Sequence, residues 1–287
     1  MSAGSEDGRP AGARARRAGG RAGTVAWRWL REHAVLLYAA LAFGYLFVPI
    51  AYTVAFSFND AGRSNLSWQG FTLDNWRNPC GAPEVCTALG NSLKIGLLAT
   101  LGATLLGTMV AFALARHRFR GRAATNLLIF LPMATPEVVL GASLLTMFLN
   151  LRLNPGFWTV VIAHVMFCIS FVVVTVKARL ASLDPRLEQA AMDLYADEWQ
   201  TFRRVTLPLA APGILAAALL SFALSFDDFI ITNFNSGNVT TFPKFVYVSA
   251  TRGIPAQANV IGTAMFVIAL LFVLAGQVLA ARRRAAR

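Results

Sequence analysis

The sequence contains few charged residues. Asp, Glu, Lys and Arg make up 14% of its 287 residues, whereas apolar residues make up 56%. A soluble domain carries about 25% charged residues, so the composition argues against one. Six apolar stretches are long enough to supply the ~20 residues that a membrane-spanning helix needs. The sequence therefore predicts an all-α, polytopic membrane protein with spans at 34–58, 92–115, 124–150, 156–176, 210–234 and 258–281.

The sequence also lacks the residue sets that carry enzymatic chemistry. None of its three lysines, Lys94, Lys177 and Lys244, follows a glycine, so there is no Gly-x-x-x-x-Gly-Lys phosphate-binding loop. No histidines and acids have metal-ligand spacing, and no Ser-His-Asp or Cys-His set lies at one membrane depth. His164, inside the fourth span, is either a packing residue or a functional one. We expect no catalysis, no metal site and no bound cofactor in this chain.

The net charge of +12 is unevenly distributed. If the N-terminus lies inside, the segments 1–33, 116–123, 177–209 and 282–287 are cytoplasmic and hold 20 of the 26 Lys and Arg residues. This asymmetry sets membrane topology, so the basic charge requires no nucleic-acid partner. Both termini are predicted to be cytoplasmic. Residues 1–33, rich in Ala, Gly and Arg, are predicted to be a disordered tail that could also touch membrane lipid, and 34–287 the membrane domain.

Cysteine is scarce, and two of the three cysteines lie close together. Cys80 and Cys86 share the first extracytoplasmic loop, where a disulfide can persist. The spacing permits a small ring but does not show the geometry, so the pair is either a disulfide or two free thiols. Cys168, within the fourth span, is predicted to be a packing residue.

A polar stretch, 177–208, separates the fourth and fifth spans. It is far longer than an ordinary helix connection. Asp184 and Pro185 form a helix-start signal. An apolar stripe follows at helical spacing, consisting of Leu187, Ala190, Ala191, Leu194 and Tyr195. The pattern predicts one or two amphipathic helices outside the bilayer; the helix over 184–198 either docks into a partner or lies on the membrane. Its largely acidic polar side favours docking, because anionic lipid would repel it.

This stretch resembles the cytoplasmic signature of permease subunits of binding-protein-dependent ABC importers. The signature reads E-A-A, three residues, G, nine residues, I-x-L-P. Here Gln189, Ala190 and Ala191 are followed by Tyr195 at the glycine position, and the last part of the motif falls on Val205, Leu207 and Pro208. The spacing matches throughout. Two residues depart from the motif: Gln189 replaces glutamate, with Glu188 one place earlier, and Tyr195 replaces the glycine at a bend between two short helices.

The resemblance implies a type I ABC importer permease fold with six spans and a coupling helix. The implied partners are an ATPase dimer that binds ATP and Mg, a second and different permease, and an extracytoplasmic solute-binding protein. The implied location is the bacterial inner membrane. ATPase contacts are expected at the apolar stripe and, at its rim, at polar residues; the expected set is Glu188, Gln189, Ala190, Ala191, Asp193, Leu194, Tyr195, Asp197, Arg203, Val205, Leu207 and Pro208.

A closer resemblance points to the second permease of spermidine/putrescine importers. It rests on FTLDNW (71–76), the Asn91-Ser92 start of the second span, LPMATPEVVLG (131–141) and SFALSFDDFIITNF (221–234). This implies a cationic, polyamine-type solute. Aminophosphonate, iron and sulfate importers share the architecture and remain alternatives. A secondary transporter is the alternative of another class, although no convincing repeat relates the two halves and such a transporter does not need the 177–208 loop.

Only Glu137, Asp227 and Asp228 are acids deep within the predicted spans. A carboxylate in hydrocarbon costs at least ~2.5 kcal/mol, so such residues usually face a partner or an aqueous path. A polyamine would need acids and aromatic faces, and Phe226 and Trp158 are predicted to supply rings, as are Phe222 and Phe229. Neighbouring residues on a helix point about 100° apart, so at most one aspartate faces the path squarely. Glu137 follows a proline and either caps a half-helix or contacts solute.

Overall fold

The computed structural model describes residues 12–61, 65–117 and 119–285. Over these residues the regular secondary structure is helical, apart from one isolated antiparallel bridge between Asn59 and Phe71. The helices are α1 (Gly12–Phe56), α2 (Asp74–Arg77), α3 (Pro83–Arg116), α4 (Arg122–Ala134), α5 (Glu137–Asn150), α6 (Phe157–Ala181), α7 (Arg186–Asp193), α8 (Glu198–Thr201), a π-helical turn (Phe202–Thr206), α9 (Leu207–Asp227), α10 (Ile230–Asn235), α11 (Phe242–Arg252) and α12 (Ala256–Ala285).

Five of the described helices are long and apolar enough to cross a membrane, and α4 and α5 form a sixth crossing if they count as one. This agrees with six predicted spans, with one correction in the fifth. The third span, 124–150, is broken at Pro136, as the half-helix predicted to begin there requires, and consists of two helices at an angle of 109°. The predicted fifth span, 210–234, is interrupted at Asp228 and Phe229, between α9 and α10.

Proline accounts for the sharp break in the third span. Pro136 disfavours the helical conformation at the residue before it, and Thr135 is extended with ψ of 132°. Pro136 is itself extended with ψ of 132°, and α5 begins at the next residue. Two consecutive extended residues redirect the chain.

The bent pair still connects opposite ends of the bundle. We call the end where Arg116 of α3 meets Glu188 of α7 the coupling end. The helix α4 begins six residues after Arg116, and α6 ends at Ala181, just before α7. Because α6 is 25 residues, or about 37 Å, long, its start lies at the opposite end, and α5 ends seven residues before that start. The pair α4–α5 therefore makes one broken crossing.

The core consists of α3, α6 and α9, which pack against one another. Glycines on α3 allow the close approach: a Cβ at Gly107 would lie 2.7 Å from Val172 of α6, and one at Gly102 would lie 3.0 Å from Val165. Small residues play this part in membrane helix packing. At the coupling end Arg179 of α6 lies over Gly213 of α9 and donates to the carbonyl oxygen of Leu209 at 2.8 and 3.0 Å.

The first helix begins earlier than the predicted span. It runs from Gly12, so residues 12–33, predicted to be disordered, are helical in the structure. Ala and Arg are good helix formers, and no proline interrupts the chain between Gly12 and Pro49, so the membrane helix can continue outward. The part of the predicted tail before Gly12 lies outside the described residues. Within the chain, α1 packs against α12.

The loop after α1 is held by polar side chains and a disulfide. Cys80 and Cys86 are bonded, with their Cα atoms 5.5 Å apart, which settles the alternative that the sequence left open. Asn59 donates to Asn65 at 2.6 Å, and Trp76 donates to the Ser57 hydroxyl at 3.2 Å. These bonds tie the segment 71–76 to the end of α1.

Candidate coupling surface and substrate path

Of the one or two helices predicted for this loop, the structure has two, α7 and α8, joined by a turn. Asp184 accepts a hydrogen bond from the Arg186 backbone at 2.9 Å at the start of α7, as its position predicted. Asp197 accepts one from the Gln200 backbone at 2.6 Å at the start of α8. The residues between α7 and α8 include Tyr195, which has φ of +63° and ends the first helix.

Tyr195 keeps the bend that the family signature assigns to glycine. The left-handed conformation costs an L-residue with a Cβ about 1–2 kcal/mol. The side chain is 98% exposed in the chain, so no packing within the chain offsets this cost. The sequence left two alternatives: tyrosine either straightens the junction or tolerates the bend. In the structure the junction is bent, with Tyr195 in the left-handed conformation.

The two short helices present apolar side chains outward. Leu194 is 81% exposed, and several further large apolar residues of the loop are also exposed, namely Leu187, Met192, Tyr195 and Trp199. Ala190 is exposed and Ala191 is half-buried. We call Leu187, Ala190, Met192, Leu194, Tyr195 and Trp199 the coupling surface. Apolar residues exposed in this number on a short polar loop are typical of a protein interface.

Glu188 faces the bundle rather than the rim of the coupling surface, where it was predicted. Its carboxylate pairs with Arg116 at the end of α3 and accepts a hydrogen bond from the Thr206 hydroxyl at 2.7 Å. Arg116 also donates to Thr206 at 3.3 Å. Glu188 therefore ties α7 to α3 and to the π-helical turn.

Some of the other predicted contact residues are exposed at the coupling surface, and the rest join the loop to the fifth span. Gln189, Asp193, Asp197 and Arg203 are exposed and remain available at the rim of the coupling surface. Val205 and Leu207 are half-buried, and Pro208 is exposed at the start of α9. The end of the signature thus joins the loop to the fifth span.

Asp228 lies at the break in the fifth span and is directed into the bundle. Its side chain is 3% exposed and lies 3.1 Å from His164 Nε2. It also accepts backbone hydrogen bonds from Ile231 at 3.2 Å and Thr232 at 2.8 Å, which caps α10. The structure therefore gives this aspartate partners within the chain.

Asp227, its neighbour, is exposed and has no hydrogen-bond or ion-pair partner among the described residues. Aromatic rings lie on both sides of it along the chain. Phe222 stacks on Phe226 with ring centroids 5.9 Å apart, and Phe229 stacks on Tyr247 of α11 at 4.3 Å. The two aspartates therefore point in different directions, as predicted.

Glu137 is exposed in the first turn of α5, and in the described part of the chain no side chain caps this helix start. The half-helices α5 and α10 nevertheless pack together: a Cβ at Gly141 would lie 2.9 Å from Phe234, and Asn235 donates to the Gly141 carbonyl at 3.2 Å. Each half-helix starts beside an acid at a span break. Trp158 is 66% exposed near the start of α6, in edge contact with Phe157.

Several residues of these sites were not predicted from the sequence. They are Arg116, Thr206, Ser225, Thr232 and Tyr247. Ser225, Asp228 and Thr232 recur at helical spacing, which could have indicated one polar face, whereas Arg116 and Tyr247 come from distant segments. No group of three His, Cys, Asp or Glu residues in the described ranges could hold a metal ion.

Comparison with known proteins gives a consistent family. Residues 103–285 match the family described as binding-protein-dependent transport system inner membrane component. The chain is 36% identical over 239 residues to the spermidine/putrescine transport system permease protein PotC of Escherichia coli strain K12, covering 83% of this chain and 90% of PotC. It is 36% identical over 231 residues to the putrescine transport system permease protein PotI of the same strain, covering 78% of this chain and 82% of PotI.

Solved structures are similar in fold. A bacterial ABC transporter involved in the import of the acidic polysaccharide alginate has a TM-score of 0.61 at 17% identity, covering 87% of this chain and 97% of that one. An amino acid ABC transporter solved with histidines has a TM-score of 0.55 at 19% identity, covering 75% and 100%. At such identities the likeness shows the fold, which is the type I ABC importer permease fold.

Proposed function

The chain belongs to the inner membrane components of binding-protein-dependent transport systems, and from that premise we propose how it works. It is the membrane-spanning permease of an ABC importer, and it passes a polyamine such as spermidine or putrescine. An extracytoplasmic binding protein delivers the solute. A separate ATPase dimer, which binds ATP and Mg, drives the cycle, and a second, different permease completes the path. This chain itself carries no ATPase site.

The coupling surface supports the ATPase assignment. Its apolar side chains project from two short helices, while Glu188 anchors the same helices to α3. A rigid-body movement of the partner would therefore reach the membrane helices directly. The coupling end is then cytoplasmic, and so are both termini, in agreement with the distribution of Lys and Arg.

Asp227 is the observation that carries the substrate class. A carboxylate without a partner deep in a span is stable only beside water or a cation. Aromatic rings beside it add favourable faces for ammonium groups. The similarity to permeases named for spermidine and putrescine points to the same solutes. Asp227, Glu137 and the rings of Phe226 and Trp158 are the proposed path residues.

The test is uptake and ATP hydrolysis by the co-expressed complex in nanodiscs or vesicles, with polyamine and its binding protein. We expect polyamine-loaded binding protein to stimulate both, and Asp227→Asn to lower uptake about tenfold. Asp74→Asn is the matched control, since Asp74 is an exposed acid paired with Arg77 outside the spans. Stimulation by aminophosphonate, iron or sulfate instead would reject the polyamine assignment and keep the importer.

The coupling surface is tested separately by co-purification. Leu194→Asp puts a charge on the apolar patch, so we expect loss of the ATPase from the purified complex. Leu66→Asp, at an exposed position in the loop after α1, is the control and leaves the ATPase bound. Retention of the ATPase by Leu194→Asp would show that the patch is not the docking site.

A further inference from the structure

A buried polar cluster joins the fourth span to the break in the fifth. We call His164, Ser225, Asp228 and Thr232 the break cluster; none of the four is more than 9% exposed. The His164 Nδ1 atom lies 2.7 Å from the Ser225 hydroxyl. The Nε2 atom lies 3.1 Å from Asp228 Oδ2 and 3.0 Å from the Thr232 hydroxyl. One imidazole on α6 thus contacts the end of α9, the break and the start of α10.

The hydrogen bonds of the break cluster fit one arrangement. A carboxylate oxygen only accepts, so Nε2 carries the ring proton and donates to Asp228. In the neutral ring Nδ1 then accepts from the Ser225 hydroxyl. Asp228 Oδ1 accepts from the Ile231 backbone, and Oδ2 accepts from the Thr232 backbone as well as from His164. The carboxylate is therefore satisfied although it is buried.

This arrangement fixes the direction of the neighbouring residue. The last residue of α9 is Asp227, and Asp228 leaves the helical conformation with ψ of 123°. With the Asp228 carboxylate held inward by three donors, the preceding carboxylate points away from the core, and it is exposed. The residue after Asp228, Phe229, is held between the break and Tyr247.

We propose that His164 is a positioning residue for transport: by holding Asp228 at the break it aims the Asp227 carboxylate at the cationic solute. The inference rests on the proposed function, because it needs a cation in the path. His164 itself does not touch the solute, since it is 1% exposed. Its effect passes through Asp227, and this separates it from a residue that merely stabilises the fold.

The test is a double-mutant cycle on polyamine uptake at saturating loaded binding protein. His164→Leu removes both hydrogen bonds of the ring, so we expect uptake per ATP hydrolysed to fall about tenfold. His164→Gln keeps an N–H donor for Asp228 and is expected to restore most of the lost uptake. In the Asp227→Asn background His164→Leu is expected to lower uptake by less than about twofold, because the residue through which it acts is already neutral.

Cys168→Ala is the matched control. Cys168 lies one turn further along α6, is fully buried and contacts the Ser221 carbonyl of α9 at 3.6 Å. Its replacement is expected to leave uptake unchanged. If the leucine variant does not assemble, His164→Phe, which keeps a buried ring but has no donor for Asp228, and its Asp227→Asn combination carry the same test.

The outcomes are distinct. Equal losses from the His164 change with and without Asp227→Asn, or no loss in either, would overturn the positioning role while polyamine uptake by the unmodified complex still stands. Absence of polyamine uptake by the unmodified complex would overturn the proposed function and this inference together. We expect His164→Leu to lower uptake only where Asp227 is intact, and His164→Gln to restore most of it.

Discussion

The third and fifth spans are both interrupted, and they treat the acid at the interruption in opposite ways. In the third span Glu137 follows a proline, is exposed and has no hydrogen-bond partner among the described residues. In the fifth span no proline is present at the break; Asp228 is buried and accepts hydrogen bonds from two backbone amides and His164. One break is made by the backbone, and the other by side chains.

The difference shows what holds each break. A proline break persists without tertiary contacts, because the ring excludes the helical conformation at the preceding residue. A side-chain break persists only while its polar partners remain. The acid of the third span is therefore without a structural partner among the described residues, whereas the fifth span uses Asp228 for its structure and leaves Asp227 for the proposed path.

The largest difference between the two breaks is expected in the free energy of unfolding when the acid is removed. Asp228→Ala leaves two backbone donors of α10 and the His164 ring without an acceptor, so the free energy of unfolding should fall by about 3 kcal/mol. Glu137→Ala is the matched change at the other break and should alter it by less than about 0.5 kcal/mol. Denaturant titration of the purified complex in detergent measures both. Equal losses would mean that the two breaks are held in the same way.

A third interruption, at Tyr195 in the coupling loop, differs from the other two because it strains the backbone. Tyr195→Gly removes the cost of the left-handed conformation and no buried contact, so we expect unfolding to require about 1 kcal/mol more. Tyr195→Asn, which tolerates the same conformation, should share part of the gain. The melting temperature of the permease purified without the ATPase is the measurement, and a lower value for the glycine variant would contradict the strain.

The smallest effect is expected for transport at the proline break. Glu137→Gln removes a charge from the path without disturbing any hydrogen bond among the described residues, so polyamine uptake should fall about threefold, less than for Asp227→Asn. Glu137→Asp keeps the charge and is the control. Unchanged uptake in the glutamine variant would assign Glu137 to favourable interaction with the start of α5 rather than to the solute path.

The sequence predicted the spans well because hydrocarbon demands long apolar stretches. It indicated a bend at Pro136 but not its angle of 109°, since a proline breaks a helix without setting the direction of the next one. The coupling loop was found through its spacing, yet Glu188 was placed at the rim. Its partner, Arg116, lies 72 residues away, and such a long-range pair leaves no local pattern.

The candidate path was only partly predictable. The sequence predicted that at most one of the adjacent aspartates faces the path squarely, but not which one is buried. Asp228 is buried against His164, 64 residues away along the chain. The disulfide between Cys80 and Cys86 was left open because spacing does not report the distance between Cα atoms. In each case the missing information was a tertiary contact.

The π-helical turn at Phe202–Thr206 affects where the chain can lose a residue. Each of its hydrogen bonds spans one residue more than in an α-helix, so the turn accommodates a surplus residue locally. Loss of one codon within it would restore regular α-helix and leave Trp199 and Pro208 facing as they do now. Loss of one codon in the middle of α9 would instead rotate one end of that helix by about 100° relative to the other. We therefore expect loss of one residue to be tolerated at this junction and not in the span that follows.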